Sequence, residues 1–561
     1  MNSKRWNVCP PNPRKQIALS DGLGVHPIIA QLLINRNVER VEQAQSFLFG
    51  DLQNLYDPFL LKDMDRAVER VRLAQKNKEK VLIYGDYDVD GVTSSVVLAN
   101  LLRSLGIPAC HYIPHRMTEG YGLNANIVNH AQNNGVSLII CVDSGINAFA
   151  AAEAIATAGI DLIILDHHEP SEGKLPKACA VVNPKRADCS YPFKSLASVG
   201  LAFKLAHALL NEIPEDYLDL VTIGTIADVV ELRGENRIFV KKGLPRITQT
   251  KNHGLQALLQ AAKIQDKKFR PYYVGFILGP RLNATGRMGT ALDSLQLLLS
   301  KDLAEAKVLA QNLEEHNSLR QKTQNDIIEE AIDIVEREVN FKDQQIIVLN
   351  KEGWHRGVLG IVASRLVDKY YRPAIVISTD GELGTGSARS IEGFHLFEAL
   401  QSCSGMLENF GGHKRAAGLT VRSERIAEFK TLINEFARTA LSVEQLVPTL
   451  DIDAEVPLSS LNLDLIKLVD SLEPYGEGNP PPVFCTRRLT VKSAPLVMGR
   501  DTLKFWVTDG KSTLPAVGFG MGRFKDALSV NQQVDLAYCP DIDDYTQEQS
   551  IVLKIKDIRD A

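Results

Sequence analysis

Apolar and polar positions fall along this chain in repeating blocks. Residues 81–84 form a short apolar, β-branched run, followed by a polar turn and then, over residues 91–105, by a helical pattern. The same unit returns twice. Residues 138–142 precede Asp143 and a helical pattern over 147–158, and residues 162–165 precede Asp166. Strands alternating with helices predict an α/β fold with a parallel sheet covered on both faces, which binds ligands beyond the carboxyl ends of its strands. This domain is assigned to residues 51–300, and the short helical patterns of residues 1–50, after Pro10, Pro11 and Pro13, are expected to pack on it.

Residues 302–338 contain neither Pro nor Gly and place apolar residues at helical spacing. One continuous helix there would be about 50 Å long and would serve as a connector (301–340) between two lobes; two helices broken near Asn317 are the alternative. A second α/β domain (341–446) follows, with strands predicted at 345–349 and 374–377 and Gly-rich loops at 381–386 and 411–418. From 447 to 561 the pattern changes to short alternating runs such as 503–507 and 533–538. A β-rich, OB-like, nucleic-acid-binding domain is the expectation, although alternation does not distinguish one small barrel from another.

With 45% hydrophobic and 23% charged residues in 561, the chain can bury a large core divided over several domains. A formal charge of −5 excludes binding to nucleic acid through overall positive charge, so any such path must be built from local clusters. Eight cysteines without a C-x-x-C pair suggest neither a disulfide framework nor a structural zinc site. The longest apolar runs are strand-length, short of the ~20 residues of a membrane helix. The first residues lack the apolar segment of a secretion signal, so a cytoplasmic location is expected, with no membrane partner.

The chemistry concentrates at the predicted strand ends. Asp86, Asp88 and Asp90 alternate in D-Y-D-V-D and are followed by Gly91, a pattern that can converge carboxylates on a hard divalent cation. An EF-hand is excluded twice: Val97 stands where the bidentate Glu belongs, and a strand precedes the loop where a helix should. Asp143 ends the next strand, and Asp166, His167 and His168 end the one after. Carboxylate plus imidazole at the mouth of a parallel sheet suits Mn²⁺, with Mg²⁺ also compatible. Asp228 is a further candidate ligand that by itself could equally cap a helix.

The segments D-Y-D-V-D-G, V-D-S-G, D-H-H-E and G-T-I-A-D-V-V resemble the four motifs of the DHH phosphoesterase superfamily. The resemblance implies a catalytic set of Asp86, Asp88, Asp90, Asp143, His167, His168 and Asp228. Two metal ions would be held by Asp88, Asp90, Asp143, His167 and Asp228, with His168 a contact for the scissile phosphate. Tyr84 stands where the superfamily's manganese pyrophosphatases have a His, which argues against a pyrophosphatase.

The run Gly411, Gly412, His413, Lys414, Arg415, Ala416, Ala417, Gly418 is similar to the glycine-rich signature of DHHA1 domains, and Gly411 to Lys414 are candidates to bind phosphate. Segments 279–288, 354–357, 386–389 and 473–480 extend the resemblance to the superfamily's exonucleases. It implies that Arg281, Ser387 and Arg389, assisted by Asn283, hold a terminal 5′-phosphate. Tyr121, and Trp506 in the barrel, are candidates to stack on bases, or else core residues. The activity so implied is 5′ to 3′ degradation of single-stranded DNA to 5′-mononucleotides by two-metal hydrolysis, in repair, mismatch repair and recombination. Single-stranded DNA-binding protein and a RecQ-type helicase are the implied protein partners. A phosphodiesterase of the same superfamily acting on short RNA or cyclic dinucleotides, and a noncatalytic replication scaffold of this fold, are the alternatives.

Overall fold

A computed structural model describes residues 4–115, 119–120, 122–171, 173–288, 290–499, 501–543 and 549–561. The chain divides into two compact units: residues 8–314 with 451–561, and residues 315–450 with 1–7.

The first unit begins with three short helices, α1 (Pro13–Leu23), α2 (Pro27–Asn35) and α3 (Val41–Phe49). They lead into a parallel sheet of β1 (Lys80–Tyr84), β2 (Ala109–Tyr112), β3 (Val136–Val142), β4 (Asp161–Leu165) and β5 (Ala180–Val182), in the order β2-β1-β3-β4-β5. Alternate side chains divide between two cores. Val81, Ile83, Leu138, Ile140, Ile163 and Leu165 face one, while Leu82, Tyr84, Ile139, Cys141, Leu162 and Ile164 face the other. Burial on both faces is why these strands read as unbroken apolar runs. Strand order reverses between β1 and β3, the switch point where doubly wound sheets hold their ligands. Around the sheet lie α4 (Val89–Ser104), α5 (Ser198–Leu210), α6 (Leu218–Ala227), α7 (Gly234–Ile247) and α8 (Gly279–Met288).

The connector is one helix, α9 (Leu303–Glu338), unbroken at Asn317. Its early turns add Ala306, Ala310 and Leu313 to the core of the first unit, and its later turns add Ile327, Ala331 and Val335 to a core of the second.

In the second unit β6 (Ile347–Glu352), β7 (Ala374–Asp380), β8 (Leu383–Arg389), β9 (Leu407–Gly412) and β10 (Ala416–Arg422) form a sheet in the order β9-β10-β8-β7-β6, parallel only between β6 and β7. The two Gly-rich segments expected to be loops lie largely in β8, β9 and β10. Glycine there leaves a bare sheet face: Ser387, Gly418 and Gly411 stand side by side across three strands.

The C-terminal residues return to the first unit. β11 (Ala454–Glu455), β12 (Phe484–Val491), β13 (Leu496–Met498), β14 (Thr502–Thr508), β15 (Thr513–Phe519), β16 (Gln533–Asp543) and β17 (Ser550–Asp560) pair in the order β11-β12-β16-β17-β15-β14-β13. An added β12–β14 pairing closes the five strands β12-β16-β17-β15-β14 into a barrel of the OB kind.

The helices of residues 1–50 depart from expectation. Leu19, Ile29, Leu32, Leu33 and Leu48 share a core with Phe484, Leu536 and Leu553 of the barrel, not with the parallel sheet. An apolar helix face specifies burial but not a partner, and local sequence does not say which domain will cover it. α3 also reaches the sheet domain, where Arg237 of α7 donates to the Phe47 carbonyl at 2.7 Å and lies over its ring. No single helix among the described residues is long and apolar enough to cross a membrane; α1 and α2 pass such a test only as a bent pair, and Leu19, Ile29, Ala30, Leu32 and Leu33 of that pair are buried in the core shared with the barrel.

Candidate metal centre

The strands stop in register. Asp143 N–H donates to the Leu165 carbonyl at 3.0 Å and Asp166 N–H to the Val182 carbonyl at 3.2 Å, so the acidic residues leave the sheet at one edge. Asp143 turns away through a left-handed backbone (φ 63°), a strained conformation for a residue with a side chain. After β1 the chain turns into α4, where Asp88 caps the helix by accepting from Gly91 N–H at 3.1 Å. Gly91 is required by space, since a Cβ there would lie 2.6 Å from the Asp86 carbonyl oxygen.

Three overlapping groups result: Asp86, Asp88 and Asp143; Asp90, His167 and Asp228; and Asp143, His167 and His168. In each, one candidate ligand atom per residue lies within 4.8 Å of the others. His167 Nε2 sits 3.5 Å from Asp143 Oδ1 and 3.6 Å from Asp228 Oδ2. All three atoms are buried and without a hydrogen-bond partner among the described residues. Buried polar atoms left in this way carry a desolvation cost that a cation would remove.

The electrostatics agree. Burial, then the neighbouring Asp88 and Asp90, push the Asp143 carboxyl well above the usual range. Burial and the same two acids push Asp228 up to about 9. Burial and Asp88 push Asp90 up to about 7. Burial, reinforced by His168, lowers His167 to about 3, keeping its imidazole neutral as a metal ligand requires. Four carboxylates and a neutral imidazole fit Mn²⁺ or Mg²⁺.

His168 stands differently. Its Nδ1 is 2.7 Å from Asp166 Oδ1, while Asp166 also accepts from the His168 and Ile146 backbone N–H groups at 3.1 and 2.9 Å. Burial opposes both charges, yet this pairing holds the Asp166 carboxyl low and raises the His168 imidazole. Asp166 therefore orients His168 and favours its protonated form.

Sequence reasoning missed the partner of Asp90. Both of its carboxylate oxygens accept from the first turn of α5, Ser198 N–H at 2.7 Å and Val199 N–H at 2.8 Å. The N-cap of α5 is Ala197, which has no side chain to cap the helix, so the Asp90 carboxylate takes that role from a distant part of the chain, and nothing local in the sequence marks it as the partner. Glu314 was also missed. Arg281, on α8, forms a fork with it (2.6 and 3.2 Å) and donates to the Ile277 carbonyl at 2.9 Å. α8 runs close to the acidic loop, because Gly286 lets it pack on the Tyr87 carbonyl; a Cβ there would be 3.0 Å away. Asn283 lies on the same helix and is half-buried.

In the second unit Ser387 stands beside the bare glycines of the sheet, whereas the Arg389 guanidinium lies against Gly360 of the helix Leu359–Tyr370 and donates to the Ala388 carbonyl at 2.8 Å. The adjoining turn exposes Gly412, His413 and Lys414. Tyr121 lies outside the described residues, and Trp506 is exposed on the barrel rather than core.

A doubly wound sheet whose strand ends gather this acid and histidine cluster defines a DHH-family domain. The model described as the DHH family, N-terminal domain, matches residues 80–225, the DHHA1 domain matches 343–439, and the RecJ OB domain matches 452–557. The chain is 40% identical over 556 residues to the single-stranded-DNA-specific exonuclease RecJ of Bacillus subtilis, covering 99% of this chain and 70% of that protein. It is 34% identical over 567 residues to the Haemophilus influenzae protein of the same name, covering 97% and 98%. Among solved structures, RecJ of Thermus thermophilus in complex with Mn²⁺ superposes with a TM-score of 0.85 at 28% identity, covering 99% of this chain and 79% of that one. The chain belongs to the RecJ family.

Proposed function

We propose that this chain degrades single-stranded DNA from the 5′ end to 5′-mononucleotides, in DNA repair, mismatch repair and recombination. The observation that carries the reading is the set of facing, unsatisfied atoms on Asp143, His167 and Asp228 at the sheet's switch point. Two Mn²⁺ or Mg²⁺ ions held by Asp88, Asp90, Asp143, His167 and Asp228 would supply activation of a water and stabilisation of charge on the phosphate and leaving oxygen. Asp90 is fixed for this task by the start of α5. His168, protonated and oriented by Asp166, donates to a non-bridging phosphate oxygen. Asp86 completes the acidic wall.

Arg281 contributes a guanidinium to phosphate binding, with Asn283 beside it, and releases Glu314 to do so. Ser387, Arg389 and the turn 411–414 offer hydroxyl, guanidinium, bare backbone and Lys414 to phosphate on the second unit. Exposed Trp506 gives the barrel a surface on which a base can stack. Single-stranded DNA-binding protein and a RecQ-type helicase are the proposed protein partners, and the cytoplasm, with the chromosome, the proposed location.

Digestion of end-labelled oligonucleotides with Mn²⁺ or Mg²⁺ tests the reading. Label at the 5′ end should appear first, as mononucleotide. Release from the 3′ end first overturns the polarity, and faster turnover of a cyclic dinucleotide than of long DNA overturns the substrate.

A further inference from the structure

One loop brackets the acidic cluster. Residues 183–197 leave β5 and arrive at α5, whose first turn holds Asp90 through the Ser198 and Val199 N–H groups. Just before that turn the Leu196 carbonyl accepts from the His167 ring. At the start of the loop Asn183, fully buried, donates to the His168 carbonyl at 2.8 Å and accepts from Lys185 N–H at 2.7 Å. A buried amide bonded at both ends fixes what it joins, here the Lys185 backbone to the D-H-H-E turn.

Three cations lie on this loop, and two are committed elsewhere. Arg186 is buried between Asp63 at 2.7 Å and Asp188 at 2.8 Å, and Lys194 donates to the Cys189 carbonyl at 2.6 Å. Lys185 is half-buried and pairs at 3.2 Å with Glu169, whose side chain is 70% exposed. An ion pair with so exposed a partner is weakly held, and the ammonium can exchange it for a substrate oxygen. Its charge already reaches the cluster: burial dominates at both Asp228 and His167, yet Lys185 opposes it at the first and adds to it at the second. Burial also opposes the charge on His168, which Asp166, Asp86 and Asp88 favour, so the two cations serve different parts of the cluster.

We propose that Lys185 is a catalytic residue whose ammonium donates to the leaving 3′ oxygen of the scissile bond. This inference rests on the exonuclease reading above. As a water oxygen bonds to phosphorus, the P–O3′ bond breaks and its electron pair goes to the 3′ oxygen, which takes a proton from the ammonium. Solvent returns that proton to Lys185 while the attacking water gives up its own. An ammonium cannot serve as the base that activates water, which leaves the departing oxygen as the end of the reaction it can assist.

The experiment compares single-turnover cleavage by wild type and Lys185→Ala, with Mn²⁺, on two 5′-phosphorylated oligothymidylates. One is ordinary, and the other carries sulfur in place of the bridging 3′ oxygen of its first linkage. A thiolate is a far weaker base than an alkoxide and leaves without a proton. The variant should therefore lose about 100-fold on the ordinary linkage, the scale of general acid catalysis, and less than about three-fold on the sulfur linkage. Calorimetry without DNA should find Mn²⁺ bound as tightly by the variant as by wild type, since Lys185 is not a ligand. Equal losses on the two linkages, no loss on either, or weakened Mn²⁺ binding overturns the assignment. A wild type that releases no mononucleotide from the 5′ end of the ordinary strand overturns the exonuclease reading instead.

Discussion

Removing one acid from the centre should stabilise the metal-free protein while destroying its activity. Asp228 is the cleanest site, since burial and the charges of Asp90 and Asp88 raise its carboxyl to about 9. An unfolded Asp titrates near 3.9. Because the folded value is the higher one, the folded state holds the proton more tightly, and the cost to stability starts above the unfolded pKa and grows until pH passes the folded value. At pH 7 folding must keep a proton that the unfolded chain has released, at an upper limit of about 4 kcal/mol from ~1.4 kcal/mol per pH unit. Asp228→Asn removes that term. In EDTA, thermal melts from pH 5 to pH 9 should show wild type losing stability as pH rises and the variant losing less, so that the curves diverge upward in pH. Saturating Mn²⁺ should reverse the order, since only wild type retains the full ligand set. Parallel pH profiles in EDTA would refute the reasoning, because they would mean that Asp228 does not share a crowded acidic site.

Other outcomes follow from the same geometry. Asp143→Ala should abolish turnover and leave binding of a fluorescent single strand largely intact; cleavage at the wild-type rate would remove Asp143 from the centre. Gly91→Ala should cost about 1–3 kcal/mol in denaturant unfolding, as overpacking does, because its Cβ meets the Asp86 carbonyl; an unchanged midpoint would contradict the tight turn. Glu314→Gln should loosen the fork on Arg281 and lower KM for 5′-phosphorylated DNA more than for 5′-hydroxyl DNA; equal effects would exclude Arg281 from phosphate binding.

What could be read from sequence was what is encoded locally. The strand runs ending at Tyr84, Val142 and Leu165 announced a parallel sheet, and the acids that follow them were already in place, because a carboxylate after a buried strand has nowhere to go but the sheet edge. Helix α9 was legible because nothing in 302–338 breaks a helix. Pairings distant in sequence were not. Nothing local ties Asp90 to Ser198, Arg281 to Glu314, or Leu32 to the barrel. The glycines of 381–386 and 411–418 looked like loops because glycine is rare in strands, yet cross-strand pairing in an antiparallel sheet overrides that preference.

The central claim is that acids and a histidine from separate strand ends hold a pair of divalent ions. Anomalous diffraction at the manganese edge, from crystals grown with Mn²⁺, tests it most directly. Two peaks are predicted, each within coordination distance of side chains from the set Asp88, Asp90, Asp143, His167 and Asp228. No peak there, or manganese found only at other sites, would contradict the account.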